Sequence, residues 1–207
     1  SGLQYSLGMF GNRINSYTYN TQTPIYNMMF GIKYLMFTTE GDDNEPTSNY
    51  YTKLYQTQSS KAEVFENNYT LPLAYAVGKN VEKWNFEEGN PFDVQSDFFK
   101  KATGVSNVFV PVNYTSTSYD NVELDEDVTD NSTYYFTKSD SSDYGYIDIS
   151  FEATTNSNIY LYITSPQIKN ISTNSDVSSL VQSIEEPYIL DLGTYEIGDE
   201  INVELDL

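Results

Sequence analysis

Apolar and polar positions follow two different rhythms along this chain. In its first half both helical and strand periods occur. The run Ile32 to Thr38 is nearly continuous in apolar residues and predicts a strand. Tyr50 to Thr57 and Ala62 to Glu66 are β-rich runs separated by a polar turn, which reads as a hairpin, and Leu73 to Val77 gives a third predicted strand. Thr23 followed by Pro24 reads as an N-cap and first helical position, and Gly31 as the stop of a short helix. Asn90-Pro91 opens a second helix in which Phe92, Gln95, Phe98 and Phe99 recur at helical spacing. Its acids come early, Lys100 and Lys101 come late, and Gly104 ends it. The stretch Gly41 to Ser48 reads as a solvated loop.

The second half has almost no helical punctuation. Runs of β-branched and aromatic residues recur between Asn, Asp, Ser and Gly clusters, predicting strands at Val108 to Tyr114, Thr133 to Thr137, Tyr146 to Glu152, Ile159 to Thr164, Pro187 to Leu192 and Glu200 to Leu207. Strict alternation in Tyr146-Ile147-Asp148-Ile149-Ser150-Phe151 turns one polar face outward. Gly193 and Gly198 are read as turn glycines between the last two strands, a pattern shared with lectin-like jelly rolls at the level of fold only. The expected fold is an α+β N-terminal unit over residues 1–107, followed by an all-β antiparallel sandwich over 108–207, jelly-roll or lectin-like.

Charge sharpens this division. Over 207 residues, 30 acids face 10 bases for a net charge of −20. Residues 1 to 104 hold 11 acids and 8 bases, whereas residues 105 to 207 hold 19 acids and 2 bases, so the composition steps near Gly104 to Pro111. Such a field repels phosphate backbones and anionic lipid headgroups, and nucleic acid is excluded as a partner. The chain has no Cys and no His, which removes disulfides, thiol nucleophiles, Ser-His-Asp and Cys-His catalysis and zinc sites of the usual kind. Hydrophobic residues at 39% and 20 Tyr describe a folded chain rather than a disordered acidic one. No apolar stretch approaches the ~18 residues of a membrane span, and the opening Ser1-Gly2 reads as the start of an excised piece.

The remaining chemistry is sparse. The acidic run Val122 to Asp130 has carboxylates enough for calcium but lacks the EF-hand spacing, and a solvated loop is its plainer reading. No metal and no cofactor is expected. Carboxylate pairs for glycoside hydrolysis are defined by distance in space, and surface charge is the better reading of these acids. Four Asn-x-Ser/Thr sequons, at Asn68, Asn113, Asn131 and Asn170, are what an Asn- and Thr-rich chain generates by chance. Tyr rings suit stacking on sugars and equally suit covering a sheet. Trp84, between Lys83 and Asn85, reads either as an exposed platform or as a packed ring. Arg13, the only Arg, reads either as a bidentate clamp for phosphate or carboxylate or as half of an internal salt bridge.

The segment Gly11-Asn-Arg-Ile-Asn-Ser-Tyr17, followed by Thr23-Pro-Ile-Tyr-Asn-Met-Met-Phe-Gly-Ile-Lys-Tyr-Leu35, resembles the extracytoplasmic region of bacterial YfhO-type membrane proteins. The Pro-Leu-Ala-Tyr-Ala stretch at 72–76 and the Asn-Pro-Phe at 90–92 extend the likeness over roughly the first 110 residues. The resemblance implies a polytopic parent similar to GT-C glycosyltransferases, acting at a Gram-positive surface on lipoteichoic acid or related polymers from a lipid-linked donor. It implies no catalytic residue here, because the early membrane-proximal loop that carries the GT-C carboxylate has no counterpart in this chain.

Three readings follow from that resemblance and the residues together. The first is a noncatalytic extracytoplasmic fragment that positions an envelope glycan or lipid-linked sugar, or braces the parent's own transmembrane part. The second is a free-standing carbohydrate-binding or adhesion module, and the third a self-sufficient glycosidase. The candidate contacts for a glycan or phosphate are Arg13, Asn15, Tyr17, Tyr19 and Trp84.

Overall fold

The computed structural model describes residues 2–13, 16–18, 23–38, 50–56, 62–87, 89–125, 133–165, 167–174 and 188–207, with the backbone alone at 10–13, 16–18, 38, 56 and 188. They fold as two compact units. The first comprises Ser1–Val110 together with Tyr160–Ile163 and Pro187–Asp191, and the second comprises Pro111–Ile159, Thr164–Glu186 and Leu192–Leu207.

In the first unit, helix α1 (Gly2–Ser6) leads into strands β1 (Phe10–Arg13) and β2 (Ser16–Thr18), an antiparallel pair with Phe10 opposite Thr18 and Arg13 opposite Ser16. Helix α2 (Pro24–Met29) forms where the Thr23-Pro24 signal places it. Thr23 is extended, its side chain accepts a hydrogen bond from the Tyr26 amide, and Pro24 occupies a first-turn position that needs no donor. Helix α3 (Pro91–Thr103) is capped by Asn90, whose Oδ1 accepts from the Phe92 and Asp93 amides at 2.9 and 3.1 Å. It ends at Gly104 with φ +85°, a left-handed residue that favours glycine. Leu7, Tyr26 and Val94 form a core here, with Leu3, Met9, Met29, Ile32, Trp84 and Phe86 packed against it.

The same unit holds a three-stranded antiparallel sheet in the order β3 (Tyr34–Thr38), β5 (Ala62–Asn67), β4 (Tyr51–Gln56). Its central strand alternates in burial along its length. The inner row Leu35–Phe65–Lys53 carries Leu35 and Phe65, 8% and 6% exposed. Glu63, also on this face, is buried against Lys53 Nζ at 2.5 Å. Leu73 to Val77 is not a strand. Leu73 is fully exposed, Pro72 offers no amide to a ladder, and the segment is held instead by Tyr75 Oη donating to the Met29 carbonyl at 3.3 Å.

The second unit is built on a four-stranded antiparallel sheet in the order β11 (Asn170–Thr173), β13 (Glu200–Asp206), β9 (Tyr146–Glu152), β6 (Tyr114–Asp120). Strands β7 (Val122–Leu124) and β8 (Phe136–Lys138) form a smaller antiparallel pair. β10 (Ser157–Ile163) pairs with β12 (Tyr188–Tyr195), and both strands divide their residues between the two units. The α+β region followed by an antiparallel β sandwich is the fold that the sequence predicts.

Several strand positions differ from expectation. The strand predicted at Val108 to Tyr114 begins only at Tyr114. Pro111 withholds a donor, and the Ser/Thr-rich segment after it pairs with β9, its Thr115 and Thr117 hydroxyls donating to the Ser150 and Asp148 carbonyls. Gly193 lies inside β12 with φ +102°, so only Gly198 sits in the turn before β13. The loop predicted from Val122 starts as β7, with Val122 5% exposed, and its residues 126–130 lie outside the described residues.

Candidate functional site

The four-stranded sheet of the second unit has two chemically opposite faces. One face carries the rows Ile171–Leu205–Ile147 and Ile201–Phe151, all of them buried. Since side chains alternate along a strand, the residues between them share the other face. That face reads Asn170–Asp206–Tyr146–Asp120 in one row and Ser172–Glu204–Asp148–Ser118 in the next. Asn202–Ser150–Ser116 and Glu200–Glu152 complete it. Every side chain on these four rows bears a hydroxyl, an amide or a carboxylate.

Local geometry orders one end of this face. Asn121 adopts φ +53°, which Asn tolerates better than most residues, and its side chain ties down the loop at 139–144. Its Nδ2 donates to the Asp140 and Tyr144 carbonyls at 2.8 and 3.1 Å, and its Oδ1 accepts from the Asp140 amide at 2.8 Å. The Ser142 hydroxyl and amide hold the Asp140 carboxyl below the usual carboxylate range. So placed, Tyr144 is 59% exposed, and its hydroxyl donates to Asp206 Oδ1 at 2.5 Å. That bond, with the Asp206 and Glu204 charges nearby, pushes the Tyr144 phenol up to about 12. Asn170 Nδ2 donates to the other Asp206 oxygen at 3.3 Å, and Ser150 Oγ donates to Asn202 Oδ1 at 2.6 Å.

Two like-charged pairs face each other directly across β9 and β13, Asp148 with Glu204 and Glu152 with Glu200. Directly opposed like charges destabilise a sheet. Chemically, the face is a set of acceptors with few cations. It suits a ligand rich in hydroxyl donors, with the Tyr144 ring beside it as an amphipathic surface. Among the described residues, no group of three or more His, Cys, Asp or Glu is arranged to hold a metal ion.

Of the residues picked out by sequence, Arg13, Tyr17 and Trp84 belong to the first unit rather than to this sheet. Arg13 ends β1 opposite Ser16, and Tyr17 lies on β2. Asn15 and Tyr19 lie outside the described residues. Trp84 is half-buried. Its Nε1 donates to the Val94 carbonyl at 3.0 Å, and its ring packs edge-on against Phe98 at 5.0 Å between centroids and tilted against Phe86 at 5.5 Å. Sequence reasoning recognised the outward polarity of Tyr146, Asp148 and Ser150 but did not single out Tyr144, Asn170, Asn202, Glu204 or Asp206. The alternation in Glu200 to Asp206 is the signal that was there to find the β13 residues.

This is a mostly antiparallel β region, and none of its described helices is long and apolar enough to cross a membrane. The family model for bacterial membrane protein YfhO matches residues 1–207, and the chain belongs to that family. No curated protein and no solved structure matches it.

Proposed function

We propose that this chain is a noncatalytic, extracytoplasmic portion of a YfhO-family glycosyltransferase that holds an envelope glycan on the polar face of the β11–β13–β9–β6 sheet. The observation that carries this reading is the face itself: four rows of hydrogen-bonding side chains with an exposed, oriented Tyr144 at one end. Sugar hydroxyls donate to carboxylates and amide oxygens, and sugar C–H faces stack on tyrosine rings. The direct opposition of Asp148 and Glu204 also supports it, since natural sequences break local rules mainly where function asks for it. The glycan segment bound is uncharged, because the acids of this face repel phosphate-bearing repeats. The chemistry itself, transfer from a lipid-linked donor in a lipoteichoic-acid-type pathway, belongs to the parent's transmembrane part. This chain contributes position rather than turnover, because the early membrane-proximal loop that carries the GT-C carboxylate has no counterpart in it.

The test is calorimetric or NMR titration of the 207-residue chain with neutral hexose and N-acetylhexosamine oligosaccharides, and with polyglycerol phosphate. The reading expects shifts confined to the resonances of β9, β13 and Tyr144 with a neutral sugar, and none with the phosphate polymer in divalent-free buffer. A flat titration with every neutral sugar, or hydrolysis of glycosides by the chain itself, overturns it.

A further inference from the structure

The sheet of the first unit carries an anomaly of the opposite kind. Opposite its buried face, the register sets Met36, Val64 and Tyr55 in one row across all three strands, with Tyr34, Glu66 and Thr52 in the next. Met36 is 73% exposed, Tyr55 61% and Tyr34 54%. The register shift between Lys53 and Tyr55 inserts Leu54, 51% exposed, beside that row. Single exposed apolar residues are ordinary, but an apolar row across a whole sheet marks a surface that meets something. The row has little to offer a sugar, because Met36, Val64 and Leu54 bear no hydrogen-bonding groups.

The flanking charge cancels locally. Lys33 Nζ lies 3.3 Å from Glu66 and 5.1 Å from the centre of the Tyr34 ring, so the lysine is matched at the patch edge. Met and Leu with Tyr hydroxyls and a snorkelling Lys at the margin is the composition that settles at a bilayer–water boundary, where rings sit at headgroup level. The chain belongs to a family of bacterial membrane proteins, so a lipid surface is a partner within reach of an apolar face. We propose that the outer face of the β3–β5–β4 sheet, centred on Met36 and Tyr55, rests on the membrane surface. The face inserts shallowly into neutral lipid headgroups. With 11 acids against 8 bases over residues 1–104, anionic lipid weakens the contact rather than strengthening it.

Tyr55→Trp reports the contact directly, because position 55 is exposed and the native Trp84 is packed against Phe98. With zwitterionic phosphatidylcholine vesicles, Tyr55→Trp emission is expected to shift to the blue and to be quenched by lipids brominated near the headgroup, while the parent chain's emission stays unchanged. Replacing a third of the lipid with phosphatidylglycerol at low salt should cut binding severalfold. Met36→Ser combined with Tyr55→Ser should reduce vesicle co-sedimentation about tenfold or more while leaving the melting temperature unchanged. Emission from the Tyr55→Trp variant that is neither quenched nor shifted overturns the proposal. So does binding that rises with phosphatidylglycerol, and so does a dimer in sedimentation that the same double substitution dissolves, since it assigns the face to a second copy of the chain.

Discussion

Thr23 and Gln95 lie 72 positions apart, and the Thr23 hydroxyl donates a hydrogen bond to the Gln95 side-chain carbonyl, both residues being 0% exposed. Thr23 also caps α2 through the Tyr26 amide, and Gln95 Nε2 donates to the Leu7 carbonyl at 3.3 Å. One buried amide therefore ties the start of α2 and the residue after α1 to the middle of α3. Gln95→Leu preserves volume but strands a buried hydroxyl and a carbonyl, and buried polar groups left unpaired are costly. Chemical denaturation should show a loss of about 1–3 kcal/mol. Thr23→Val removes the cap as well as the donor and should cost at least as much, whereas Thr23→Ser should be close to neutral.

Gly8 and Ile189 make a second long-range constraint. Gly8 has φ +86°, and a Cβ placed there would lie 2.5 Å from Ile189 Cδ1 and 3.3 Å from Pro91 Cβ. Gly8→Ala thus meets both a backbone conformation that disfavours side chains and a buried isoleucine, for an expected loss on the order of 2 kcal/mol. Gly8→Ala combined with Ile189→Ala relieves the clash and keeps the backbone strain. The coupling in the double-mutant cycle should therefore be favourable, and simple additivity would place the whole effect in the backbone.

Alkaline stability should depend on Tyr51. Burial pushes its phenol from 10.0 up to about 12, with the Asp191 charge adding to the effect and the hydrogen bond from Asn27 Nδ2 opposing it. A folded-state pKa above the unfolded one means that the folded chain keeps a proton the unfolded chain releases. The stability associated with Tyr51 is therefore intact below pH 10 and is lost as the pH rises from 10 towards 12. The linkage is on the order of 2 kcal/mol across that window. Tyr51→Phe should flatten the fall in melting temperature between those values. Tyr144 is shifted as far by Asp206, but it stands in solvent, and Tyr144→Phe should flatten the curve much less.

What the sequence disclosed follows its strongest local signals. Thr23-Pro24, Asn90-Pro91 and Gly104 are chemical instructions that act within a few residues, so both of these helices were legible. The alternation from Tyr146 to Phe151 announced a polar face for the same reason. The strand Tyr114–Asp120 was not legible, because a Ser/Thr-rich run reads as loop until a partner such as β9 supplies its hydrogen bonds. The rows of the polar face were hidden too, since the contact of Tyr144 with Asp206 spans 62 positions. The step in charge gives no sign that Tyr160–Ile163 and Pro187–Asp191 return to the first unit. Arg13 stood out for being unique, a property of composition that carries no information about which face a side chain joins.

The opposed carboxylates supply the prediction that separates a working face from a merely solvated one. Asp148 and Glu204 occupy directly opposite positions on β9 and β13, and neither has a Lys or Arg opposite it in the rows of that sheet. Asp148→Asn keeps the shape and removes one charge, so it should raise stability by about 0.2–1 kcal/mol. That gain should shrink when the measurement is repeated in molar salt, because the Debye length falls to about 3 Å. If the face holds a glycan, the same substitution should weaken neutral-sugar binding severalfold, since an amide accepts a sugar hydroxyl less strongly than a carboxylate. Stabilisation with loss of affinity is the signature of a charge retained for binding. Stabilisation with affinity unchanged would remove Asp148 from the site, and destabilisation would mean that the like-charge pair is offset by a cation or hydrogen bond acting on one of the two carboxylates.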